Sequence, residues 1–270
     1  YAAGSLALAH NGNLVNAHAI RKGLGSKGAI FQSTNDSEVI VHLMAQSKAE
    51  TFVDQAAEAL RQVSGAYSLV LMTKTELLAA RDPHGFRPLC LGKLDGSYIV
   101  ASETCVMDLI EAEFIREVEP GELILINDQG IQSFFPFKKV ETKHCVFEHI
   151  YFARPDSFIF GEHVYTARKN MGRAMAQESP ADVDLIVPVP DSGVVSAMGF
   201  AEESGIPFEM GLIRNHYVGR TFIEPQSQIR HFGVKLKLNP VKEIIAGKRI
   251  AIIDDSIVRG TTARKIVKML

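Results

Sequence analysis

The chain has few cysteines and little net charge, and it contains no long apolar run. Its three cysteines, Cys90, Cys105 and Cys145, are widely spaced and odd in number, which argues against a disulfide framework and predicts reduced thiols in a cytoplasmic setting. A formal net charge of −2 argues against a broad nucleic-acid-binding surface, which is normally basic. No apolar run approaches the ~20 residues that span a bilayer. We therefore expect a soluble protein with no membrane or nucleic-acid partner.

The rest of the composition is that of a globular protein with room for one or two domains. The chain has 270 residues, of which 46% are hydrophobic and 22% charged. Short predicted strands separated by turns, with some helices, precede residue 143, and strands that alternate with helices follow it. The first pattern is typical of an α+β layered domain and the second of an α/β domain with a parallel sheet. We predict domains over residues 1–143 and 144–270.

Local patterns place the elements of both regions. Asn11-Gly12-Asn13 is a turn signal between a strand and a helix. In the first region we predict strands over residues 6–9, 67–72, 77–80, 98–102 and 123–126, and helices over residues 16–24, 39–44 and 51–63. In the second region we predict strands over residues 185–190 and 250–253, and helices over residues 165–178, 194–204 and 263–270.

The most informative segment runs from residue 248 to residue 262. Ile250–Ile253 is a short apolar run rich in β-branched residues that predicts a strand of a parallel sheet, and Asp254 and Asp255 follow where that strand ends. Open α/β sheets bind ligands at that edge. The loop beyond offers backbone N–H groups, hydroxyls and the N-terminus of the next helix, which suit a phosphate. Its residues are Ser256, Ile257, Val258, Arg259, Gly260, Thr261 and Thr262.

A simpler interpretation is that this segment only caps a helix. A cap needs one side-chain oxygen, whereas the nine residues from Asp254 to Thr262 hold two adjacent acids, a glycine and three hydroxyls. The segment resembles the phosphoribosylpyrophosphate-binding signature of type I phosphoribosyltransferases. This resemblance implies a mainly parallel, doubly wound sheet, with the ribose hydroxyls on Asp254 and Asp255 and the 5-phosphate in the loop.

Two further segments match the same family. Pro188–Gly193 reads by itself as a rigid turn, but the resemblance makes it the pyrophosphate loop. Asp191 and Gly193 would then contact the substrate, and Ser192 would join Asp254 and Asp255 around Mg²⁺, which favours oxygen ligands. The polar stretch over residues 214–230 reads as a solvated loop, and by resemblance it is a lid that closes over the substrate. Arg220 and Arg230 are its candidate pyrophosphate contacts.

The first region resembles the glutaminase domain of class II glutamine amidotransferases. The motifs are His10–Leu14, Ser33–Glu38, Arg81–Leu89 and Ala101–Thr104. In isolation, Asn11-Gly12 would be a tight turn and Ser33–Glu38 a helix cap. The resemblance implies an N-terminal-nucleophile hydrolase fold with αββα layers, an oxyanion hole at Asn11 and Gly12, and Asp36 holding the α-amino group of glutamine.

Both domains in this order resemble the amidophosphoribosyltransferase family, which also matches at Phe147–Ser157 and Tyr217–Ile223. The resemblance implies glutamine and phosphoribosylpyrophosphate as substrates, transfer of ammonia to the sugar in purine synthesis, inhibition by purine nucleotides, and a homotetramer. A phosphoribosylpyrophosphate-binding regulator or a salvage phosphoribosyltransferase are the alternatives. Neither accounts for the first region.

The resemblance also raises two expectations about cysteine. Class II amidotransferases use a Cys at the mature N-terminus as nucleophile, and residue 1 here is Tyr. We therefore expect a segment upstream of Tyr1, and we expect the chain as given not to hydrolyse glutamine. Some members of the family carry a [4Fe-4S] cluster, for which Cys145 is a candidate ligand; a small buried thiol is the other interpretation.

Overall fold

The computed structural model describes residues 4–215 and 238–270. Two compact units divide the chain, the first comprising Tyr1–Val146 with Phe158–Gly161 and the second Phe147–Ser157 with Glu162–Leu270. The domain boundary after residue 143 remains a prediction, because a division into compact units is a different measure from a domain limit. Within the described ranges, no helix combines the length and apolar character needed to cross a membrane.

The first unit contains nine strands and four helices among the described residues. The strands are β1 (Ala7–Leu14), β2 (Gly65–Met72), β3 (Leu77–Arg81), β4 (Cys90–Leu94), β5 (Ser97–Ala101), β6 (Glu113–Glu117), β7 (Leu123–Asn127), β8 (Gly130–Phe134) and β9 (Phe158–Ile159). The helices are α1 (Ala17–Gly25), α2 (Glu38–Gln46), α3 (Phe52–Leu60) and α4 (Cys105–Leu109).

Strand alternation explains the layers of the first unit. A five-stranded antiparallel sheet has the order β1-β2-β3-β7-β8. One of its faces contributes Leu69, Leu78 and Leu123 to a core shared with the helices. Because neighbouring side chains point to opposite faces, Ala79 and Ile124 lie on the other face, where they pack with residues of the second sheet, β5-β4-β6. The predicted mixed α/β architecture is confirmed.

An ion pair with a buried carboxylate joins the two sheets of this unit. Glu122 is 1% exposed, and both guanidinium nitrogens of Arg116 on β6 donate to its carboxylate at 2.7 and 2.8 Å. Ser133 Oγ on β8 and the Glu119 N–H also donate to it, at 2.6 and 2.8 Å. Burial alone would raise the pKa of Glu122, but these hydrogen bonds outweigh burial and lower it.

This pair predicts a pH-dependent effect of Glu122→Gln. At pH 7 we expect the variant to lose about 2 kcal/mol of unfolding free energy, less than for a fully buried pair because Arg116 is 37% exposed. Because the folded-state pKa is lowered, the stabilisation is present above the unfolded pKa of about 4.3 and is lost as pH falls through the folded value. Urea unfolding at pH 7 and pH 3 measures it.

The matched control is Glu113→Gln, which replaces an exposed acid on β6 and should change little at either pH. An equal loss for Glu122→Gln at both pH values would show that the carboxylate is not held as its anion.

The second unit contains five strands and four helices among the described residues. The strands are β10 (Glu162–His163), β11 (Leu185–Pro188), β12 (Leu212–Arg214), β13 (Leu238–Pro240) and β14 (Ile250–Ile253). The helices are α5 (Val164–Glu178), α6 (Val194–Ser204), α7 (Lys242–Ile245) and α8 (Thr261–Met269), and a π-helical turn spans Glu148–Phe152.

The parallel pair of β11 and β14 organises this unit. Leu185 pairs with Ile250 and Pro188 with Ile253, so both strands end at the same edge. Ile186 and Ile253 pack with Phe200 of α6 on one face, and Leu185 and Val187 pack with other apolar residues of the unit, Ile266 among them. This arrangement is the predicted α/β pattern, in which alternating strands and helices build a parallel sheet.

Several local predictions differ from the structure. Asn11-Gly12-Asn13 does not form a turn but lies inside β1, where Gly12 pairs with Tyr67. Strands β4, β6 and β8 were not predicted, because their sequences are short and mix glycine or charged residues with apolar ones. Helix α2 begins at Glu38, one residue before the predicted range, and Ser37 makes no side-chain capping hydrogen bond.

Candidate functional site

A cavity of about 440 Å³ opens in the first unit beside β1 and the start of α2. Two of the three site residues predicted there line it, Gly12 and Asp36. Asn11, the third, lies next to Gly12 on the strand, and its Nδ2 donates to Ser102 Oγ at 3.3 Å. This contact joins two of the motifs on which the glutaminase resemblance rests. The other lining residues are Leu8, His10, Ser33, Asn35, Ser37, Glu38 and Val41.

Gly12 lies where the backbone of β1 has no room for a side chain. A Cβ at this position would lie 2.0 Å from the Ala66 carbonyl oxygen and 2.7 Å from His10 Nε2. The φ of Gly12 is +156°, which residues with side chains rarely adopt. Glycine therefore keeps a backbone segment open at the cavity wall, as a backbone N–H donor in an oxyanion hole requires.

The Asp36 carboxylate is held by the strand across from it. Its Oδ2 accepts the Leu14 N–H at 2.8 Å, and its Oδ1 lies 3.2 Å from Ser37 Oγ and 3.5 Å from His10 Nδ1. The carboxylate remains 27% exposed. Two carboxylate oxygens offer about four acceptor positions, so sites remain for a ligand ammonium group.

Glu38 and Arg21 brace the loop that precedes Asp36. The Glu38 carboxylate accepts the N–H groups of Gln32 and Ser33 at 2.7 and 3.0 Å, and Arg21 donates to the carbonyls of Ser33 and Asn35 at 2.8 and 2.7 Å. Led by the Gln32 N–H, these donors lower the pKa of Glu38 to about 2. The sequence analysis included Glu38 only as the last residue of the Ser33–Glu38 motif and did not single out Arg21, because neither contact is local to one helix.

The second candidate site lies at the shared edge of β11 and β14, where the structure brings two predicted segments together. The Val189 N–H donates to the Ile253 carbonyl at 2.8 Å, and Gly193 N–H donates to Val189 O at 2.9 Å. A Cβ on Gly193 would lie 2.4 Å from Ile253 O and 3.2 Å from Asp254 Cα. The predicted pyrophosphate loop therefore lies directly against the start of the acidic pair. The Pro190–Asp191 peptide bond in this loop is cis.

The two acids Asp254 and Asp255 lie at this edge, directly after β14. Asp254 is partly buried, and burial followed by the neighbouring Asp255 charge raises its pKa above the usual value. The Asp255 N–H donates to Asp254 Oδ1 at 2.9 Å, and Ser256 Oγ donates to Asp255 Oδ1 at 2.5 Å. A bound cation or a pair of sugar hydroxyls would relieve the unfavourable charge at Asp254.

The phosphate-loop residues follow in the exposed segment that leads into α8. Ile257 and Val258 are 74% and 84% exposed, and Gly260 takes a left-handed φ of +66° immediately before the helix. Only the α8 end of this loop is helical, so Ser256 through Gly260 keep backbone groups outside regular structure. Thr261 and Thr262 form the first helical turn.

Arg214, at the end of β12, forms an ion pair with Asp191 of the pyrophosphate loop. The predicted contacts Arg220 and Arg230 lie outside the described residues. Cys145 is partly buried, and its N–H donates to the Phe86 carbonyl at 3.0 Å. Across residues 4–215 and 238–270, no group of three or more His, Cys, Asp or Glu side chains is arranged to hold a metal ion.

Comparison with known proteins identifies relatives along nearly the whole chain. Residues 1–108 match the family model of a glutamine amidotransferase domain. The chain is 54% identical to the amidophosphoribosyltransferase of Rhizobium etli over 99% of its own length and 55% of that protein. It is 50% identical to the Bacillus subtilis amidophosphoribosyltransferase, covering 99% of the chain and 56% of the relative. The chain thus spans about half the length of the curated relatives it matches.

Solved structures give the same result. The chain matches the glutamine phosphoribosylpyrophosphate amidotransferase of Bacillus subtilis, solved in complex with ADP and GMP, with a TM-score of 0.92 and 50% identity over 98% of the chain and 58% of that structure. A structure described as the allosteric regulatory enzyme of purine biosynthesis matches with the same TM-score and identity, over 57% of its length. The high-identity relatives over nearly the whole of this chain are therefore amidophosphoribosyltransferases.

Proposed function

We propose that the full-length protein containing this chain makes 5-phosphoribosylamine. Glutamine, phosphoribosylpyrophosphate and water would give 5-phosphoribosylamine, glutamate and pyrophosphate, the first committed step of purine synthesis. The observation that supports the proposal most directly is the packing of Gly193 against Asp254 at the shared edge of β11 and β14, which brings the Pro188–Gly193 loop next to the acidic pair. The match to a glutamine amidotransferase domain and the cavity at Gly12 and Asp36 support the glutamine half of the reaction.

The first unit supplies binding and charge stabilisation for the glutamine half-reaction. Asp36 binds the α-ammonium group, and the Asn11 amide with the Gly12 N–H stabilises the oxyanion that develops on the side-chain carbonyl. Cys90 is unsuited to be the nucleophile, because burial raises the pKa of its thiol to about 12. The family's N-terminal cysteine thiolate fills that role in this proposal.

The second unit binds the sugar phosphate. Asp254 and Asp255 accept the ribose hydroxyls, the Ser256–Thr262 loop binds the 5-phosphate, and the loop at Asp191 and Gly193 contacts the pyrophosphate. Ser192 and the two acids supply the hard oxygen ligands that suit Mg²⁺, an ion that keeps several waters and needs only one or two carboxylates from the protein. When bound, Mg²⁺ would neutralise charge on the departing pyrophosphate.

The remaining features of the proposal concern assembly and regulation. Purine nucleotides act as inhibitors, a role consistent with the relative solved with ADP and GMP. The protein assembles as a homotetramer in the cytoplasm. Arg220 and Arg230 contact the pyrophosphate, and Cys145 is one ligand of a [4Fe-4S] cluster. Since the described residues gather no set of three or more candidate ligands at Cys145, the other cluster ligands would come from the rest of the full-length protein.

The double substitution Asp254→Asn and Asp255→Asn tests the proposal in the full-length protein. We expect ammonia-dependent phosphoribosylamine formation to fall at least about 10²-fold, because the anionic ligands for sugar and cation are lost, while glutamine hydrolysis without transfer persists. Pyrophosphate release and glutamate formation, measured in parallel, separate the two activities.

Asp182→Asn with Asp184→Asn is the matched control. These acids lie before β11, at the opposite end of the parallel pair, where they form exposed ion pairs with Arg249, and their replacement should leave both activities unchanged. Equal loss of both activities on replacing Asp254 and Asp255 would contradict the division of labour. Pyrophosphate release that depends on an added nucleobase would instead support a salvage enzyme.

A further inference from the structure

His10 is a buried side chain at the cavity to which neither the sequence motifs nor the proposed reaction assigns a role. It lies on β1 beside Asn11 and Gly12, and its side chain is 5% exposed. Its Nδ1 lies 2.7 Å from Ser37 Oγ and 3.5 Å from Asp36 Oδ1. Its Nε2 lies 3.4 Å from the Ala66 carbonyl oxygen. One imidazole therefore contacts both the strand pair that carries Gly12 and the turn that carries Asp36.

The Ser37 hydroxyl is the contact through which His10 reaches Asp36. Its Oγ lies 2.7 Å from His10 Nδ1, 2.9 Å from Asn35 Oδ1 and 3.2 Å from Asp36 Oδ1. A hydroxyl can donate or accept, so the contact with Nδ1 forms whichever ring nitrogen carries the proton. His10 therefore holds the hydroxyl that lies between its ring and the Asp36 carboxylate.

The position of the carboxylate follows from the same contacts. Leu14 N–H fixes Asp36 Oδ2 from β1, and the Ser37 backbone N–H donates to Asn35 Oδ1 at 3.0 Å, which closes the turn. His10 completes the link on the Oδ1 side. His10, Gly12 and Leu14 lie at alternate positions of β1, on one side of the strand. The strand therefore sets the distance between the Gly12 backbone N–H and the Asp36 carboxylate.

We infer that His10 is a positioning residue that, through Ser37, keeps the Asp36 carboxylate placed and available for the α-ammonium group of the amide donor. The inference rests on the proposed glutamine site. It makes His10 responsible for recognition of an α-amino acid, and it leaves the stabilisation of the carbonyl oxygen to Asn11 and Gly12.

His10→Leu in the full-length protein tests this role with two substrates. Glutamine carries the α-amino group, and glutaramate is the same amide without it. We expect His10→Leu to raise KM for glutamine about 10-fold with kcat nearly unchanged, because binding energy common to the ground and transition states is lost. The value of kcat/KM for glutaramate should stay within about 2-fold of wild type.

Three further variants define the contact. His10→Asn keeps a polar atom at the place of Nδ1 and should restore most of the glutamine preference, whereas His10→Gln places its amide near Nε2 and should not. Ser37→Ala should raise KM for glutamine as His10→Leu does, without altering β1. The double variant should raise KM no more than either single variant, since both remove the same contact between His10 and Ser37. His18→Asn, which replaces an exposed histidine on α1, is the control and should change nothing.

The outcomes separate the inference from the proposed function. Ammonia-dependent transfer, measured on every variant, reports whether the protein remains folded. A wild-type protein that does not prefer glutamine over glutaramate would contradict the proposed glutamine site. If wild type shows that preference and His10→Leu and Ser37→Ala both keep it, or lose both substrates equally, the positioning role is wrong.

Discussion

Replacing Gly172 by alanine is expected to lower the free energy of unfolding by about 3 kcal/mol or more. In the crossing of α5 and α6, a Cβ on Gly172 would lie 1.9 Å from the Ser196 carbonyl oxygen and 2.9 Å from the Phe200 nitrogen. A Cβ on Gly199 would likewise lie 2.0 Å from the Lys169 carbonyl oxygen. Both obstacles are backbone atoms, so the helices must separate to admit a methyl group. The apolar packing around Phe200 would loosen with them.

The direction of the change in unfolding free energy distinguishes Gly172 from a glycine in an open helix. In an open helix, replacing glycine with alanine stabilises by about 0.5–1 kcal/mol. Thr166→Ala, at an exposed site on α5, is the control and should leave stability nearly unchanged or slightly higher. Urea denaturation followed by circular dichroism measures both variants. A Gly172→Ala protein as stable as wild type would show that the two backbones do not approach this closely.

Gly12→Ala should reduce kcat/KM for glutamine by at least about 10²-fold in the full-length protein, the usual cost of one lost oxyanion donor. The new Cβ would lie 2.0 Å from Ala66 O and 2.7 Å from His10 Nε2, so β1 must move away from β2 and carry the Gly12 N–H with it. Glutamate formation measures the loss. Phosphoribosyl transfer from added ammonia should persist, because its residues lie in the other unit.

Gly23→Ala is the matched control for this substitution. Gly23 lies within α1 with no atom near its added Cβ and no positive φ, so alanine should be tolerated or slightly stabilising there. Loss of ammonia-dependent transfer along with glutamine hydrolysis would indicate general unfolding in Gly12→Ala. Retention of full glutaminase activity would show that the Gly12 N–H is not an oxyanion donor.

The strand ends of the second unit were predictable, because their signals are local. A β-branched run, two acids and a glycine-containing loop follow one another along the chain, and the parallel pairing of Leu185 with Ile250 then places the Asp191–Gly193 loop beside Asp254. Helices α5, α6 and α8 were predicted for the same reason. Each has an apolar periodicity that one segment of sequence displays by itself.

The contacts that shape the first site were not predictable, because they join residues distant in sequence. Asn11-Gly12 carries a turn signal, yet pairing with β2 keeps it extended. His10 reaches Ser37 and Ala66 only after β1, β2 and the turn before α2 have assembled. The need for glycine at position 172 likewise depends on Ser196 of another helix. Tertiary packing overrode or added to local preference at each of these positions.

The late position of β14 also bears on how the chain folds during synthesis. All strands of the five-stranded sheet of the first unit have been synthesised once Phe134 has left the ribosome, and each pairs antiparallel with its neighbour in the sheet. Strand β11 has to wait for Ile250–Ile253, so its apolar edge spends part of translation without its partner. A nascent chain halted between these strands should therefore carry a protease-resistant amino-terminal half and an exposed, aggregation-prone Leu185–Pro188 segment.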